Sequence, residues 1–228
     1  MNRSARSLRA DLSHVGTWIF DLDNTLYPST SRLFDQIDLR IGQFIAQRFD
    51  VDSREARKIQ KSYFREHGTT LNGLMTEHDM APEEFLDYVH DIDFSPLEPS
   101  ARLEAALAAL PGRKMIFTNA DVSYARKVLV RLGVAHHFEH VFDITAAKYV
   151  PKPFPAAYDA LVQRHEIEPK ATIFFEDIAR NLVPAAALGM TTVWLPPGPR
   201  LPADEADFGY VDHVVDDLVA WLEGVAGA

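Results

Sequence analysis

Five short, uninterrupted apolar runs constrain the fold of this chain more than any other feature. Runs of this length predict strands buried on both faces of a parallel sheet. Helical patterns separate the later runs, and strand alternating with helix predicts right-handed βαβ units in a doubly wound, Rossmann-like α/β sheet. The runs lie at residues 16–22, 113–119, 140–144, 171–177 and 191–195. The helical patterns lie at residues 123–133, 154–165 and 181–189.

One interval breaks this alternation. Roughly ninety residues separate the first two runs, far more than a βαβ crossover needs. Apolar residues of 32–49 fall on one helical face, Ser53 suits the cap of a second helix reaching His67, and Pro82 suits the start of a third. The sequence therefore predicts a helical cap inserted into an α/β core. The expected division is a flexible N-terminal arm (1–15), a core (16–28 and 99–228) and a helical cap domain (29–98).

The net charge restricts the partners of the chain. A formal charge of −10 argues against a nucleic-acid polymer, which calls for clustered Lys and Arg, and against an anionic membrane surface. A small anionic substrate remains compatible, because the local charge of a site can oppose the global sign. The absence of cysteine removes thiolate nucleophiles and Cys-based zinc sites. We expect a cytoplasmic protein, either a monomer or a homodimer.

Polar residues follow four of the predicted strands. Ligands of open parallel sheets bind beyond the carboxyl ends of the strands, so these residues should meet. Four acids at one edge repel one another unless a cation lies among them, and oxygen ligands without cysteine favour Mg²⁺. The residues, in strand order, are Asp21 and Asp23, then Thr118 and Asn119, then Lys148 and Lys152, then Glu176 and Asp177.

These strand ends resemble a known family. The stretches "FDLDNTLYP", "FTNA", "PKPFPAAY" and "FFEDIARN" resemble the four ordered motifs of the haloacid dehalogenase superfamily, over nearly the whole chain from about residue 16. The inserted helices resemble that superfamily's helical cap. Within it, "DLDNTLYPS", "SYFREHGTTLNGL" and "FTNA" are most similar to the pyrimidine 5′-nucleotidase branch.

The resemblance implies catalytic roles. Asp21 would be the nucleophile that forms an aspartyl-phosphate, and Asp23 would protonate the leaving oxygen and later deprotonate water. Thr118 and backbone amides near Asn119 would bind the phosphoryl oxygens. Lys152, which matches the family motif in "KPFP", would balance the charge of the nucleophile and the phosphoryl group.

The resemblance also implies a magnesium site. Asp177, Asp21 and the backbone carbonyl of Asp23 would ligate Mg²⁺. Glu176 would bind the ion directly or through water, and Asn181 would support these ligands. The expected substrate is a small phosphate ester, in particular a pyrimidine nucleoside 5′-monophosphate.

Selectivity is expected to come from the cap, because the core motifs recognise only a phosphoryl group. The stretch "YFREHGTTLNG" combines an aromatic ring with hydroxyl, imidazole and amide groups that suit a base, and Gly68 and Gly73 would let it bend towards the ligand. The candidate specificity residues are Tyr63, His67, Thr69, Thr70 and Asn72.

Other functions remain open on the same residues. A 2-haloacid dehalogenase would use the same nucleophile without a metal or a leaving-group acid. A phosphomutase, a generalist sugar-phosphate phosphatase and a catalytically silent binding protein are further alternatives. Adjacent His136 and His137 are interpreted as a helix-end turn with side chains pointing apart, not as a metal site.

Overall fold

A six-stranded parallel sheet forms the centre of the molecule. The computed structural model describes residues 12–196, 198 and 208–226. Every strand pair is parallel, in the order β3-β2-β1-β4-β5-β6, so the predicted α/β sheet is confirmed. The sixth strand was not predicted, since two residues are too short to show an apolar run. The strands are β1 (Thr17–Phe20), β2 (Arg113–Phe117), β3 (His140–Phe142), β4 (Thr172–Glu176), β5 (Thr191–Trp194) and β6 (His213–Val214).

The register of the central strands aligns their carboxyl ends. In β1, Phe20 pairs with Ile116 of β2 and with Phe175 of β4. The rings of Phe20 and Phe175 stack 4.6 Å apart on one face of the sheet. Burial on both faces explains the continuous apolar runs. The residues that follow β1, β2 and β4 therefore emerge side by side at one edge.

Helices cover the sheet and fill the long interval after β1. Glycines in the left-handed conformation end α6 and α8 at Gly133 and Gly189, and Pro155 opens α7, as predicted. The cap of α2 is Asp52 instead of Ser53, because the Asp52 carboxylate accepts the amide of Glu55. The helices are α1 (Leu33–Phe49), α2 (Ser53–His67), α3 (Thr70–His78), α4 (Pro82–Val89), α5 (Ala101–Ala109), α6 (Val122–Leu132), α7 (Pro155–His165), α8 (Leu182–Leu188) and α9 (Leu218–Ala226).

The first four helices pack together, with α1 against α2 and α4 and with α3 against the same two helices, and α1 turns an apolar face inwards. Leu33, Ile37 and Phe44 are buried there, and Phe44 meets Phe85 of α4 edge to face at 5.3 Å. The sequence did not separate α3, since its apolar pattern is short. We propose that residues 29–98 form the cap and that the remaining described residues form the core.

The start of the described chain packs against this core. Leu12 and Val15 are buried with the core side chains, so residues 12–15 do not form part of a flexible arm. Residues 1–11 of the predicted arm lie outside the described residues. Within the described part of the chain, each helix is too short or too polar to cross a membrane.

Candidate active site

Lys152 joins two of the predicted acids at the carboxyl edge of the sheet. Its buried Nζ donates to Asp21 Oδ1 at 2.6 Å and to Glu176 Oε2 at 2.7 Å, as well as to the Phe117 carbonyl at 2.8 Å. An ammonium group enclosed by two carboxylates keeps its charge, and the pKa of Lys152 is raised by Asp21 and Glu176 in spite of the opposing effect of burial. Lys148, the alternative lysine, is exposed.

Asn119 fixes the loop that carries this lysine. The Asn119 Oδ1 accepts the backbone N–H of Lys152 at 2.8 Å, and its Nδ2 donates to the Lys152 carbonyl at 3.2 Å. Both polar atoms of the side chain are therefore used within the protein. The predicted phosphate contact of Asn119 is then left to its backbone amide, and the side chain positions Lys152.

Three buried carboxyl groups form the predicted metal site. One oxygen each from Asp21, Glu176 and Asp177 lies within 4.8 Å of the others. Burial raises the pKa of Asp21 to about 8 and that of Asp177 to about 10, and the charge of Glu176 adds to both shifts. Lys152 lowers the pKa of Asp21 but does not offset these effects.

These residues fit a hard divalent cation. Burial and the charge of Glu176 disfavour the ionised forms of Asp21 and Asp177, an effect that a bound cation would oppose, and all the donors are oxygens. Glu176 already uses both oxygens, one on Lys152 and one on the Ile178 amide at 3.1 Å. Asp21 and Asp177 therefore suit direct ligation, and Glu176 suits contact through water. Trp194 Nε1 donates to the Asp177 carbonyl at 2.8 Å and fixes this loop.

Asp23 lies in a different environment from Asp21. Its Oδ1 accepts the hydroxyl of Tyr27 at 2.5 Å and that of Tyr124 at 2.6 Å. Burial raises the pKa of Asp23, and the two hydroxyls offset part of this shift. Sequence reasoning missed both tyrosines. Tyr124 lies in helix α6, 101 residues from Asp23 in the chain, and its position in the sequence pattern is that of a core residue.

The remaining predicted residues line the same edge. Thr118 is buried, and its Oγ1 accepts the Ala120 amide at 3.0 Å, so its hydroxyl hydrogen is left to donate. Asn181 is buried in the turn after β4, and its backbone carbonyl accepts the hydroxyl of Tyr158. Both line a cavity at this edge of the sheet.

A cavity of about 400 Å³ opens between the sheet edge and the first four helices. Its floor holds Asp21, Asp23 and Asp177. Side chains of α1 and α2 form the polar corner of the cavity, which consists of Asp38, Arg57 and Gln60. The Asp38 carboxylate accepts hydrogen bonds from the Arg57 guanidinium at 2.6 Å and from the buried side-chain amide of Gln60 at 2.9 Å. The remainder of the helical wall is mostly apolar. Its apolar residues are Phe34, Ile37, Ile41, Phe64, Leu71, Phe85, Leu86 and Val89.

The structure brings only two of the five candidate specificity residues to this cavity. Thr69 and Thr70 line it. Tyr63 instead bonds His78 at 2.7 Å, His67 lies 3.4 Å from Glu77, and Asn72 donates to the His67 carbonyl at 2.8 Å. Tyr63, His67 and Asn72 do not line this cavity, and each of them bonds within the cap.

The two glycines of this segment have packing roles. A Cβ at Gly73 would lie 2.4 Å from the Tyr63 ring, so Gly73 lets α2 and α3 pack closely. Gly68 has a φ of +81°, and a Cβ there would meet the Lys152 carbonyl at 3.3 Å. Close approach therefore explains the glycine at each position, in place of the predicted bending towards a ligand.

Arg180 joins α2 to the loop of the acids. It donates to the carbonyls of Phe64, at 2.8 Å, and Gly68, at 3.1 Å, and its guanidinium lies 4.0 Å from the centre of the Phe64 ring. Arg180 follows Asp177 by three residues. The C-terminal end of α2 is thus held against the loop that follows Asp177.

The paired histidines lie outside this site. Ala135–His137 form the predicted turn, but the rings of His136 and His137 are only 4.1 Å apart, so their side chains do not point apart. Glu104 Oε1 lies 3.6 Å from His136 Nε2 and 3.3 Å from His137 Nε2. The carboxylate draws both rings to one side.

A family model described as haloacid dehalogenase-like hydrolase matches residues 15–189. The match covers well over half of the chain and includes every core residue of the site. The chain therefore belongs to the haloacid dehalogenase-like hydrolase family, as the motif resemblance indicated.

Proteins similar in sequence include one from Saccharomyces cerevisiae and one from Methanopyrus kandleri. The chain is 25% identical over 218 residues to "Phosphate metabolism protein 8" of Saccharomyces cerevisiae, a match that covers 88% of this chain but only 62% of the yeast protein. It is 28% identical over 213 residues to a "Glyceraldehyde 3-phosphate phosphatase" of Methanopyrus kandleri, covering 83% of this chain and 90% of the relative.

Solved structures with the same fold include both phosphatases and dehalogenases. A HAD phosphatase from Thermococcus onnurineus matches with a TM-score of 0.62 at 18% identity, covering 93% of this chain and 98% of that one. An L-2-haloacid dehalogenase from Xanthobacter autotrophicus matches with a TM-score of 0.57 at 15% identity, covering 93% and 99%. The fold alone therefore does not decide the reaction.

Proposed function

We propose that the chain is a Mg²⁺-dependent phosphatase that hydrolyses a small phosphomonoester through an aspartyl-phosphate on Asp21. The observation that carries this proposal is the pair of carboxyl groups on the cavity floor. Asp21 contacts the ammonium of Lys152, whereas Asp23 accepts two phenolic hydroxyls. Two acids in different environments suit two different roles.

In the first step, a carboxylate oxygen of Asp21 attacks phosphorus. The bond between phosphorus and the ester oxygen breaks, and Asp23 gives its proton to that oxygen as the alcohol leaves. Lys152 lowers the pKa of Asp21 and faces the negative charge of the phosphoryl group. The Thr118 hydroxyl and the backbone amide of Asn119 bind the phosphoryl oxygens.

In the second step, water attacks the phosphorus of the aspartyl-phosphate. Asp23, now a carboxylate, takes the proton of that water, and the bond between phosphorus and Asp21 breaks to release phosphate. Asp21 and Asp177 would hold Mg²⁺ with the carbonyl of Asp23, and Glu176 would act through water. When bound, the ion neutralises charge on the carboxylates and the phosphoryl group.

The cavity supports a pyrimidine nucleoside monophosphate as the substrate. A flat ring suits the apolar wall, and the polar corner of Asp38, Arg57 and Gln60 offers donors and acceptors to the edge of a base. A triose phosphate is the second candidate, supported by the name of the Methanopyrus kandleri relative. Its small polar body would leave much of the apolar wall empty.

Two rival reactions use the same nucleophile. A dehalogenase needs no acid to protonate its leaving halide. The hydrogen bonds that hold Asp23 in place therefore favour the phosphatase, which needs such an acid. A phosphomutase requires the phospho-enzyme to outlast the departure of the first alcohol and to meet a second hydroxyl. The proposal therefore includes fast attack by water on the intermediate.

A substrate panel tests the proposal. Purified protein is incubated with nucleoside monophosphates, triose phosphates, hexose bisphosphates and 2-chloroacids, each with Mg²⁺ or with EDTA. We expect phosphate release that requires Mg²⁺ and is fastest with UMP or CMP. Fastest release from a triose phosphate would select the second candidate substrate. Chloride release in EDTA without phosphatase activity would overturn the proposal.

A further inference from the structure

We infer that Tyr27 and Tyr124 are positioning residues that fix which oxygen of Asp23 meets the leaving group. This inference rests on the proposed function, because it concerns the acid/base of that reaction. The sequence motifs assign a role to Asp23 but none to either tyrosine. Their contribution is visible only in the contacts that they make.

Both hydroxyls bind the same oxygen. Tyr27 and Tyr124 each donate to Asp23 Oδ1, at 2.5 and 2.6 Å, and their own oxygens are 3.4 Å apart. Rotating the carboxyl group to exchange its oxygens would break both bonds at once. Oδ2 is therefore the oxygen that carries and transfers the proton, on a residue that lines the cavity.

The two tyrosines are themselves held firmly. Their side chains are 2% and 1% exposed and come from separate segments, the loop after β1 and helix α6. The ring of Tyr124 stacks on His90 with centroids 4.3 Å apart, and His90 Nδ1 lies 2.5 Å from Asp121 Oδ2. Asp121 in turn caps α6 by accepting the Tyr124 amide at 3.0 Å. The Tyr124 hydroxyl cannot leave Oδ1 without disturbing this packing, and the burial of Tyr27 restricts its ring as well.

The chemistry explains why a fixed oxygen is useful. In an in-line displacement, the leaving alcohol departs from the side of phosphorus opposite Asp21. The water of the second step must attack from that same side. One oxygen of Asp23, held in one place, can thus give a proton to the alcohol and take one from the water. Efficient proton transfer depends on this placement.

Leaving-group dependence separates positioning from a merely structural role. p-Nitrophenolate is a stable leaving group that needs little protonation, whereas an alkoxide needs a proton. We compare wild type, Tyr27→Phe, Tyr124→Phe and the double variant on p-nitrophenyl phosphate and on a simple alkyl phosphate. Tyr88→Phe is the matched control, since its hydroxyl accepts Gln47 at 3.2 Å within the cap, outside the cavity.

The double variant should lose about 10²-fold in kcat/KM on the alkyl phosphate and less than about tenfold on p-nitrophenyl phosphate. Tyr88→Phe should leave both values unchanged. Equal losses on the two substrates would overturn the inference. If the double variant does not fold, the single variants provide the test. Each should lose more kcat/KM on the alkyl phosphate than on p-nitrophenyl phosphate, by a smaller factor than the double variant.

The result also distinguishes this inference from the proposed function. If wild type hydrolyses neither phosphate ester, or if Asp21→Asn keeps its activity, the proposed function fails. If wild type is active and depends on Asp21, but the tyrosine variants lose activity equally on both substrates, only the positioning role fails.

Discussion

The Nζ atom of Lys152 lies 2.6 Å from Oδ1 of Asp21, although 131 residues separate them in the chain. Asn119 holds the lysine loop, and β1 delivers the aspartate, so the contact depends on three segments of the core. A buried ammonium beside a buried carboxylate lowers the pKa of that carboxyl group and so opposes the effect of burial. This contact supports the proposal that Asp21, and not Asp23, is the nucleophile.

Asp21→Asn should abolish turnover and leave the fold intact. An amide has nearly the shape of a carboxylate but is a poor nucleophile, and one fewer negative charge relieves repulsion with Glu176 and Asp177. We expect kcat to fall by at least about 10³-fold, measured on the best substrate of the panel. Circular dichroism should match wild type. A variant that kept a tenth of wild-type kcat would rule out the covalent mechanism.

Mg²⁺ should stabilise the protein more as the pH rises. Burial raises the pKa of Asp21 to about 8 and that of Asp177 to about 10, from 3.8. A group whose pKa is higher in the folded state contributes stability that is complete below the unfolded value and is lost as pH rises through the folded value. The metal-free protein should therefore lose stability as the pH rises from about 4 towards about 10, because the unfolded carboxyls are ionised in this range whereas the folded ones keep their protons up to about pH 8 and about pH 10.

Thermal unfolding in EDTA and in Mg²⁺ measures this effect. The Tm in EDTA should fall from about pH 5.5 to about pH 8.5, and the gain on adding Mg²⁺ should grow over the same range. Asp177→Asn should remove most of that gain, since an amide has no proton to lose. A gain of equal size at both pH values would contradict the predicted link between ionisation and metal binding.

Arg180→Ala should loosen the end of α2 above the site. It removes two hydrogen bonds to backbone carbonyls and the contact with Phe64. We expect KM to rise about tenfold with a smaller change in kcat, and faster hydrogen exchange of residues 64–70. Arg40→Ala is the matched control. Arg40 also binds a backbone carbonyl and an aromatic ring, both of Tyr88, but these contacts stay within the cap. Equal effects of the two variants would argue against Arg180 holding the cap to the core.

The core was predictable because each of its residues follows a strand end. Asp21, Thr118 and Glu176 meet since the carboxyl ends of parallel strands share one edge, which the apolar runs already indicated. Tyr124 was not predictable, because a tyrosine in the first turn of α6 has the pattern of a core residue. Its hydroxyl meets Asp23 only because α6 packs against the loop after β1, which no local sequence pattern shows.

The sequence predicted most of the cap helices but not which of their side chains face the cavity. The helix ends follow from caps and prolines, whereas the side of each helix that faces the ligand depends on crossing angles that periodicity does not give. Tyr63 shows the difference. Its aromatic ring suits a base, but it packs over Gly73 and bonds His78.

Selectivity between bases is expected to depend on the polar corner of the cavity. Gln60 is buried on the cavity wall, where its amide donates to Asp38 and its carbonyl accepts Arg57 at 3.1 Å. Gln60→Leu keeps most of the volume but removes both polar atoms. We expect it to lower kcat/KM for UMP about tenfold or more and to change that for p-nitrophenyl phosphate much less, since the latter presents no base.

The matched control replaces three of the residues that the sequence predicted to determine specificity. The triple variant with alanine at Tyr63, His67 and Asn72 should leave the ratio of kcat/KM between UMP and AMP near its wild-type value, because these side chains bond within the cap. Gln60→Leu should change that ratio, since a base must meet the polar corner of the cavity. If instead the triple variant changes the ratio and Gln60→Leu does not, the base is bound on the α2–α3 segment, and the polar corner only holds α1 against α2.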